Sequence, residues 1–308
     1  MWEGFDPYSN PLLPILEASV PGAWQVVTDK SREVDLEIGS VYPRRVEVFG
    51  SLVKATIFRR GPSGPADVRE AYLPPGKAPN ARAGIWYTPE NRRPPDSGWD
   101  GYLSFDPDTW PRNAHLPFWQ LNSDLFGGRG SGLLGEPLII DRLLESRNAV
   151  TSRRKKFCCA IIRNPDPVRL NAIEMLNQLS QVDILGPYAR RPLPNKAEVP
   201  REYRFALVFE NDLYPGYVTE KAFDAWHCGA VPLYWGIDAQ GYLNSEAMLN
   251  MANMAGPDEL VAFVARLESD SELLDYVASQ PILSVRPSSN AVVQMIRRVM
   301  GRSATTGL

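Results

Sequence analysis

Residues 205–236 read FALVFENDLYPGYVTEKAFDAWHCGAVPLYWG. Phe205 to Phe209 is a continuous apolar run, the pattern of a strand covered on both faces in a parallel sheet. Polar residues begin at Glu210 and Asn211, where such a strand emerges, and ligands of open α/β sheets sit at this carboxyl end. After a loop containing Pro215 and Gly216, Thr219 can cap a helix over Thr219–His227, and the apolar run Val231–Trp235 follows as the next strand. The carbons are ordinary α/β packing, but the charges need another explanation. The helix dipole disfavours a cation at its amino end, so Lys221 in the first turn points to a bound anion such as a diphosphate. Glu220 is then free to accept hydrogen bonds, for which ribose hydroxyls are natural donors. A capped surface helix with a solvated Glu–Lys pair explains the same pattern equally well.

The same alternation runs along the chain. Strands are expected near Trp24–Val27, Val46–Gly50, Gly84–Thr88 and Gly101–Phe105, then at Phe157–Ile162, Val182–Leu185 and Phe205–Glu210. Helices fit Asn10–Ala18, Pro167–Ser180, Pro257–Leu267 and Asn290–Gly301. Strands alternating with helices imply parallel sheets, and 308 residues are enough for two α/β domains. FGGRGSGLLG at 126–135 lacks both the spacing and the preceding strand of a dinucleotide loop, so it is expected to be part of an interdomain connection.

Composition excludes several classes. With 44% hydrophobic and 22% charged residues the chain is globular, and a net charge of −3 gives no basic field for nucleic acid. The basic run Arg153–Lys156 is usually a solvated strand entrance; an anionic membrane surface is its other reading. Cys158, Cys159 and Cys228 offer neither a disulfide framework nor metal spacing, which suits buried thiols in a reducing compartment. No apolar stretch approaches a membrane span and MWEGFDPYSN is no signal peptide, so a cytoplasmic location is expected, with peripheral membrane contact left open. His115 and His227 have no partner at ligand spacing, and FDPDTW, with Asp106 and Asp108, reads as a strand end and turn rather than a metal motif.

FEN, YVTEK and GAVPLYWG together closely resemble the hallmark of the α1,3/1,4-fucosyltransferases of glycosyltransferase family 10, bacterial type. KFCCAIIRNPDPVR resembles that family's strand, asparagine and arginine segment, and LGPYARRPLP its glycine, basic and Pro-Leu-Pro turn. YTPENRRPP followed by WDGYLSFD resembles the Gly-Glu-Asn segment and the strand after it, and WEGFDPYSN a common opening. The resemblance covers about residues 1 to 280, in the family's order. It implies a GT-B fold, two Rossmann-like α/β domains facing across a cleft. The implied divisions are an acceptor-binding domain at 1–148, a GDP-fucose-binding domain at 149–285 and a helical tail at 286–308.

The resemblance also implies roles. Glu90 would be the general base; Arg190, Lys221 and Tyr217 would hold the diphosphate, Asn211 would line the phosphate–fucose site, and Glu220 would bind the ribose. The basic turn aligns with Arg190 or Arg191, and Arg190 is favoured. Pro89 replaces the usual glycine before Glu90, and Arg163 stands where serine is common. The implied reaction is inverting transfer of L-fucose from GDP-fucose to an oligosaccharide hydroxyl, such as O3 of GlcNAc in a galactose-GlcNAc unit. It needs no obligatory metal or cofactor, and no oligomer is specified. The competing readings are a transferase for another GDP-sugar and an inactive glycan-binding protein on the same fold. Trp99, set among polar residues, is the candidate for stacking on an acceptor sugar, against the ordinary prior of a core aromatic.

Overall fold

The computed structural model describes residues 12–22, 34–40, 81–89, 93–95, 97–106, 112–127, 138–191 and 199–301. The strands, in chain order, are β1 Val34–Ser40, β2 Ala81–Tyr87, β3 Gly101–Ser104, β4 Asn113–His115, β5 Lys156–Ile161, β6 Val182–Leu185, β7 Tyr203–Phe209, β8 Val231–Trp235 and β9 Leu249–Asn250. The helices are α1 Leu13–Ser19, α2 Phe118–Leu121, α3 Ile140–Leu143, α4 Pro167–Leu176, α5 Lys221–His227, α6 Pro257–Ser269, α7 Ser271–Ser279 and α8 Asn290–Val299. The elements divide into two compact units. Met1–Ser104, Asp108–Ala114 and Asn290–Leu308 form the first, and Phe105–Pro107 and His115–Ser289 the second.

In the first unit the sheet order is β1-β2-β3-β4, with β1–β2 and β2–β3 parallel. β1 has the sequence VDLEIGS, whose apolar and acidic residues alternate as a half-buried strand requires. Trp86, Trp99 and Tyr102 form a buried cluster on this sheet. A Cβ at Gly39 would sit 2.2 Å from the Trp99 ring, so only glycine lets the indole lie against β1. Trp99 is thus a core residue at 3% exposure and presents no face to an acceptor sugar. Its polar neighbours in sequence concealed an aromatic cluster assembled from two separate segments against β1.

The C-terminal helix α8 belongs to this first unit. It buries Val292, Met295 and Ile296, an i, i+3, i+4 stripe. Met295 and Val299 lie over Gly101 of β3, and Arg297 Nε donates to Ser19 O of α1 at 2.7 Å. The helix expected at Asn290–Gly301 therefore forms, and it packs on the amino-terminal sheet where a separate tail had been expected.

The second unit is built on a fully parallel sheet of order β6-β5-β7-β8-β9. Its core sets Phe205, Leu207, Val231 and Leu233 of the sheet against Leu260 and Val264 of α6 and Leu274 of α7. Asp166 caps α4 by accepting from Val168 N at 2.9 Å, with Pro167 in the first turn. The helix stops at Leu176, short of the expected Ser180, because the Asn177 side chain accepts from Val182 N at 2.8 Å and turns the chain into β6. Asp270 separates α6 from α7 and caps the latter through Leu273 N at 3.0 Å. Counted from β5, the strand order is 2-1-3-4-5, which reverses between β5 and β7. The crevice outside the carboxyl ends of those two strands is the switch point where ligands of such sheets bind.

Several expectations about organisation are corrected. Trp119, Leu138, Ile140 and Leu143 pack with Phe223 and Trp226 of α5, and Trp119 stacks on Phe223 at 4.7 Å, so residues 115–148 join the second unit and not the first. The glycine-rich segment expected to be an interdomain connection lies, from residue 128 onward, outside the described residues; on either side of it Asp124 N donates to Leu138 O at 3.0 Å and Leu138 N to Asn122 O at 2.8 Å. Two of the four cations in Arg153–Lys156 are engaged by the protein. Arg154 donates to the carbonyls of Pro200, Tyr203 and Cys228, and Lys156 pairs with Glu202. The three cysteines are buried, and burial pushes the Cys159 thiol up to about 12 and that of Cys228 to about 11. The strands expected at Trp24–Val27 and Val46–Gly50 lie outside the described residues. Among the described residues no helix is long and apolar enough to cross a membrane.

Candidate functional site

Phe209 ends β7 fully buried, and the next residue, Glu210, is buried too, its carboxylate wholly inaccessible. A buried charge is tolerated only when it is paired and hydrogen-bonded, and Glu210 meets both conditions. Thr219 N donates to Oε1 at 2.7 Å, and the Thr219 hydroxyl is shared between both oxygens at 2.8 and 3.0 Å. Lys221 Nζ pairs with Oε2 at 2.8 Å, and Tyr234 OH of β8 reaches Oε1 at 3.3 Å. Burial, then the neighbouring Glu210 charge, pushes the Tyr234 hydroxyl well above its ordinary range and keeps it a donor.

Thr219 therefore does not cap the helix. Its hydroxyl faces Glu210, and α5 begins two residues later at Lys221, after Glu220, with no side-chain cap. The Lys221 side chain is 25% exposed, and its ammonium also approaches Asn211 Oδ1 at 3.4 Å. Since an ammonium only donates, the oxygen of the Asn211 amide faces it, leaving the NH₂ group as that side chain's donor.

The other end of the switch point is tied to this one. Arg169 of α4 donates to Asn164 O at 2.8 Å, just past β5, and to Phe209 O at 2.9 Å and Glu210 O at 3.2 Å at the end of β7. One guanidinium thus bridges the two strand ends that frame the crevice.

Tyr217 is buried, its ring edge-on to Phe105 at 5.4 Å. Gly216 has φ +83°, and a Cβ there would lie 2.1 Å from Phe105 O, so the loop before Tyr217 depends on glycine for both conformation and clearance. Tyr214 OH donates to Asp106 Oδ1 at 2.6 Å. Asp108 lies outside the described residues.

The structure brings Asn211 and Lys221 together, with Tyr217 and half-buried Glu220 on the connecting turn. Arg190 and Arg191 lie on an exposed turn at the carboxyl end of β6, two strands from β7 in the same sheet. That turn is closed by Gly186 N to Arg191 O at 3.0 Å and Arg191 N to Gly186 O at 3.2 Å. Arg190 adopts φ 54°, the left-handed region that a side chain disfavours. Glu90 lies outside the described residues. Sequence reasoning treated Glu210 only as the point where the strand emerges. A carboxylate this inaccessible cannot reach an acceptor hydroxyl. The available signal was a glutamate directly after a buried strand with a lysine eleven residues on. Arg169 and Tyr234 fall within the stretches KFCCAIIRNPDPVR and GAVPLYWG, but spacing does not show their partners, which come from the fold.

Residues 151–295 match the family described as Glycosyltransferase family 10 (fucosyltransferase) C-term. The 4-galactosyl-N-acetylglucosaminide 3-alpha-L-fucosyltransferase of Homo sapiens is 27% identical over 283 residues, 86% of this chain and 65% of that protein. The 3-galactosyl-N-acetylglucosaminide 4-alpha-L-fucosyltransferase of Bos taurus is 31% identical over 140 residues, 42% of this chain and 37% of that one. The chain thus spans less than two thirds of either relative. A crystal structure of an alpha1,3-fucosyltransferase with GDP-fucose matches with a TM-score of 0.59 at 19% identity, covering 96% of this chain and 98% of that one. The likeness gives this chain the α/β, GT-B type of fold.

Proposed function

We propose that this chain, whose residues 151–295 form a family 10 glycosyltransferase carboxyl-terminal domain, transfers L-fucose from GDP-fucose to a hydroxyl of an oligosaccharide, with inversion. The observation that carries the reading is the corner at the end of β7, where Lys221 and Asn211 meet at the switch point within the matched segment. The human relative's name supports a galactose–N-acetylglucosamine acceptor with attachment at O3 of the glucosamine, while the name of the Bos taurus relative points to O4.

In this reaction the acceptor oxygen attacks the anomeric carbon as the bond to the GDP oxygen breaks. GDP leaves with the electron pair, and the acceptor proton passes to a base. Glu90 is assigned that role. Negative charge growing on the diphosphate is met by the Lys221 ammonium and by the Arg190 guanidinium, while the Asn211 amide donates beside Lys221. Tyr217 contributes to the same phosphate wall and Glu220 accepts from the ribose hydroxyls. No divalent ion is assigned a task.

The test is incubation with GDP-fucose and a galactose–N-acetylglucosamine acceptor, reading GDP release and product linkage by NMR. Acceptor-dependent release of GDP with an α-linked fucoside supports the reading. Transfer from another GDP-sugar in preference to GDP-fucose, or binding without turnover, overturns it.

A further inference from the structure

We propose that Glu210 is a positioning residue of the diphosphate site: it fixes the Thr219–Lys221 turn and holds the Lys221 ammonium without touching the ligand. The inference deepens the donor reading above and rests on it. Four donors converge on this one inaccessible carboxylate: the amide and hydroxyl of Thr219, Lys221 Nζ and Tyr234 OH. None of the four is replaceable by water from outside, because the carboxylate has no exposed surface. Its backbone is held from behind, since Arg169 donates to the carbonyls of Phe209 and Glu210.

Lysine is a point charge on a flexible four-carbon stem, and a site that must meet a diphosphate benefits from having that stem ordered before the ligand arrives. Glu210 provides the ordering. It accepts one of the three ammonium protons through Oε2 while Asn211 Oδ1 approaches another, which leaves a third for an incoming anion. Only a carboxylate satisfies this arrangement. An amide offers one oxygen, so glutamine would set an NH₂ group against either Lys221 or Thr219, both of which donate. Aspartate is shorter by one methylene and cannot span the same four donors.

The experiment is isothermal titration of GDP and of guanosine, which lacks the diphosphate, into wild type, Glu210→Gln, Lys221→Ala and the double variant. Glu210→Gln is expected to bind GDP about tenfold more weakly, the scale of one misplaced charge-assisted contact. Guanosine affinity should change less than about twofold, and in the Lys221→Ala background Glu210→Gln should add less than about twofold, because the effect runs through the lysine. If calorimetry shows that Glu210→Gln does not fold, Thr219→Val takes its place. It keeps the volume, removes the hydroxyl and should weaken GDP in the same selective way by about threefold. Equal losses for GDP and guanosine, a full tenfold loss in the Lys221→Ala background, or unchanged GDP affinity would each overturn the positioning role alone. Wild-type protein that binds no GDP overturns the donor reading, and this inference with it.

Discussion

β2 in the first unit and β7 in the second each end in buried aromatics followed by polar residues, yet different chemistry closes the two ends. β2 runs through Trp86 and Tyr87 to buried Thr88, and around it aromatic area does the sealing. The Nε1 groups of Trp86 and Trp99 find no acceptor among the described residues. β7 runs through Phe209 into a carboxylate that is matched on every side. The first end is stabilised by packing and tolerates polar atoms left over; the second is an ion pair that must stay complete. The difference suggests a division of labour, with substitutions beyond β2 changing turnover and substitutions beyond β7 changing donor affinity.

The sharpest way to break that division is Glu90→Gln, just beyond β2. It keeps shape and hydrogen bonding but cannot take a proton at neutral pH. Turnover should fall about 10²–10⁴-fold in kcat as well as kcat/KM, with GDP affinity by calorimetry unchanged. Near-normal turnover would remove Glu90 from the chemistry. Lys221→Ala should do the converse, weakening GDP and GDP-fucose together by about 1.5–3 kcal/mol, or roughly 10–150-fold. A folded Lys221→Ala variant with wild-type GDP affinity would end the assignment of a diphosphate to this corner.

How much of this could be read beforehand follows from distance along the chain. Glu210, Asn211, Thr219 and Lys221 lie within one strand–turn–helix stretch, so their proximity is visible as spacing. What spacing did not show is direction: Thr219 faces Glu210 and not the helix, because a buried charge outranks a helix cap. The aromatic cluster was misread for the opposite reason. Trp86, Trp99 and Tyr102 come together with Gly39 only when two crossovers bring three strands side by side, and the local polarity around Trp99 gave no hint of it. Likewise Trp119 lies within the stretch 1–148 expected to form the acceptor-binding domain, although its stacking partner, Phe223, lies in α5. The alternation of strands and helices, by contrast, carried the fold class directly, since the parallel pairings found in both sheets follow from it.

Two smaller effects sharpen the picture of the second unit. Its buried thiols set an alkaline limit. Cys159 has a folded value near 12 against 9.0 for an ordinary thiol, so above pH 9 the unfolded chain releases a proton that the folded chain retains. Stability should therefore fall as pH rises from about 9 towards 12, by up to about 1.4 kcal/mol per pH unit for this thiol, and thermal unfolding followed across that range checks the sign. A midpoint that rises over the same interval would contradict it. The exposed turn at the end of β6 gives the smallest effect. Arg190→Gly should gain up to about 1 kcal/mol by relieving the left-handed residue, while GDP binding weakens several-fold. Arg191→Ala should leave GDP binding near wild type; the reverse result would move the diphosphate contact to Arg191.

The return of α8 to the amino-terminal sheet has a consequence for biosynthesis. A chain is made from its amino end, and domains generally fold as they emerge. Here the sheet whose strands appear first lacks its covering helix until residues 290–299 have been made, with the whole of the second unit synthesised in between. The second unit has all its own segments by residue 289 and is free to fold while the first still exposes the faces of Gly101 and α1 that Met295, Val299 and Arg297 will cover. Of the two units, the one whose strands are made first is thus the last to finish folding, and through that interval its uncovered apolar surface is open to chaperones and to aggregation.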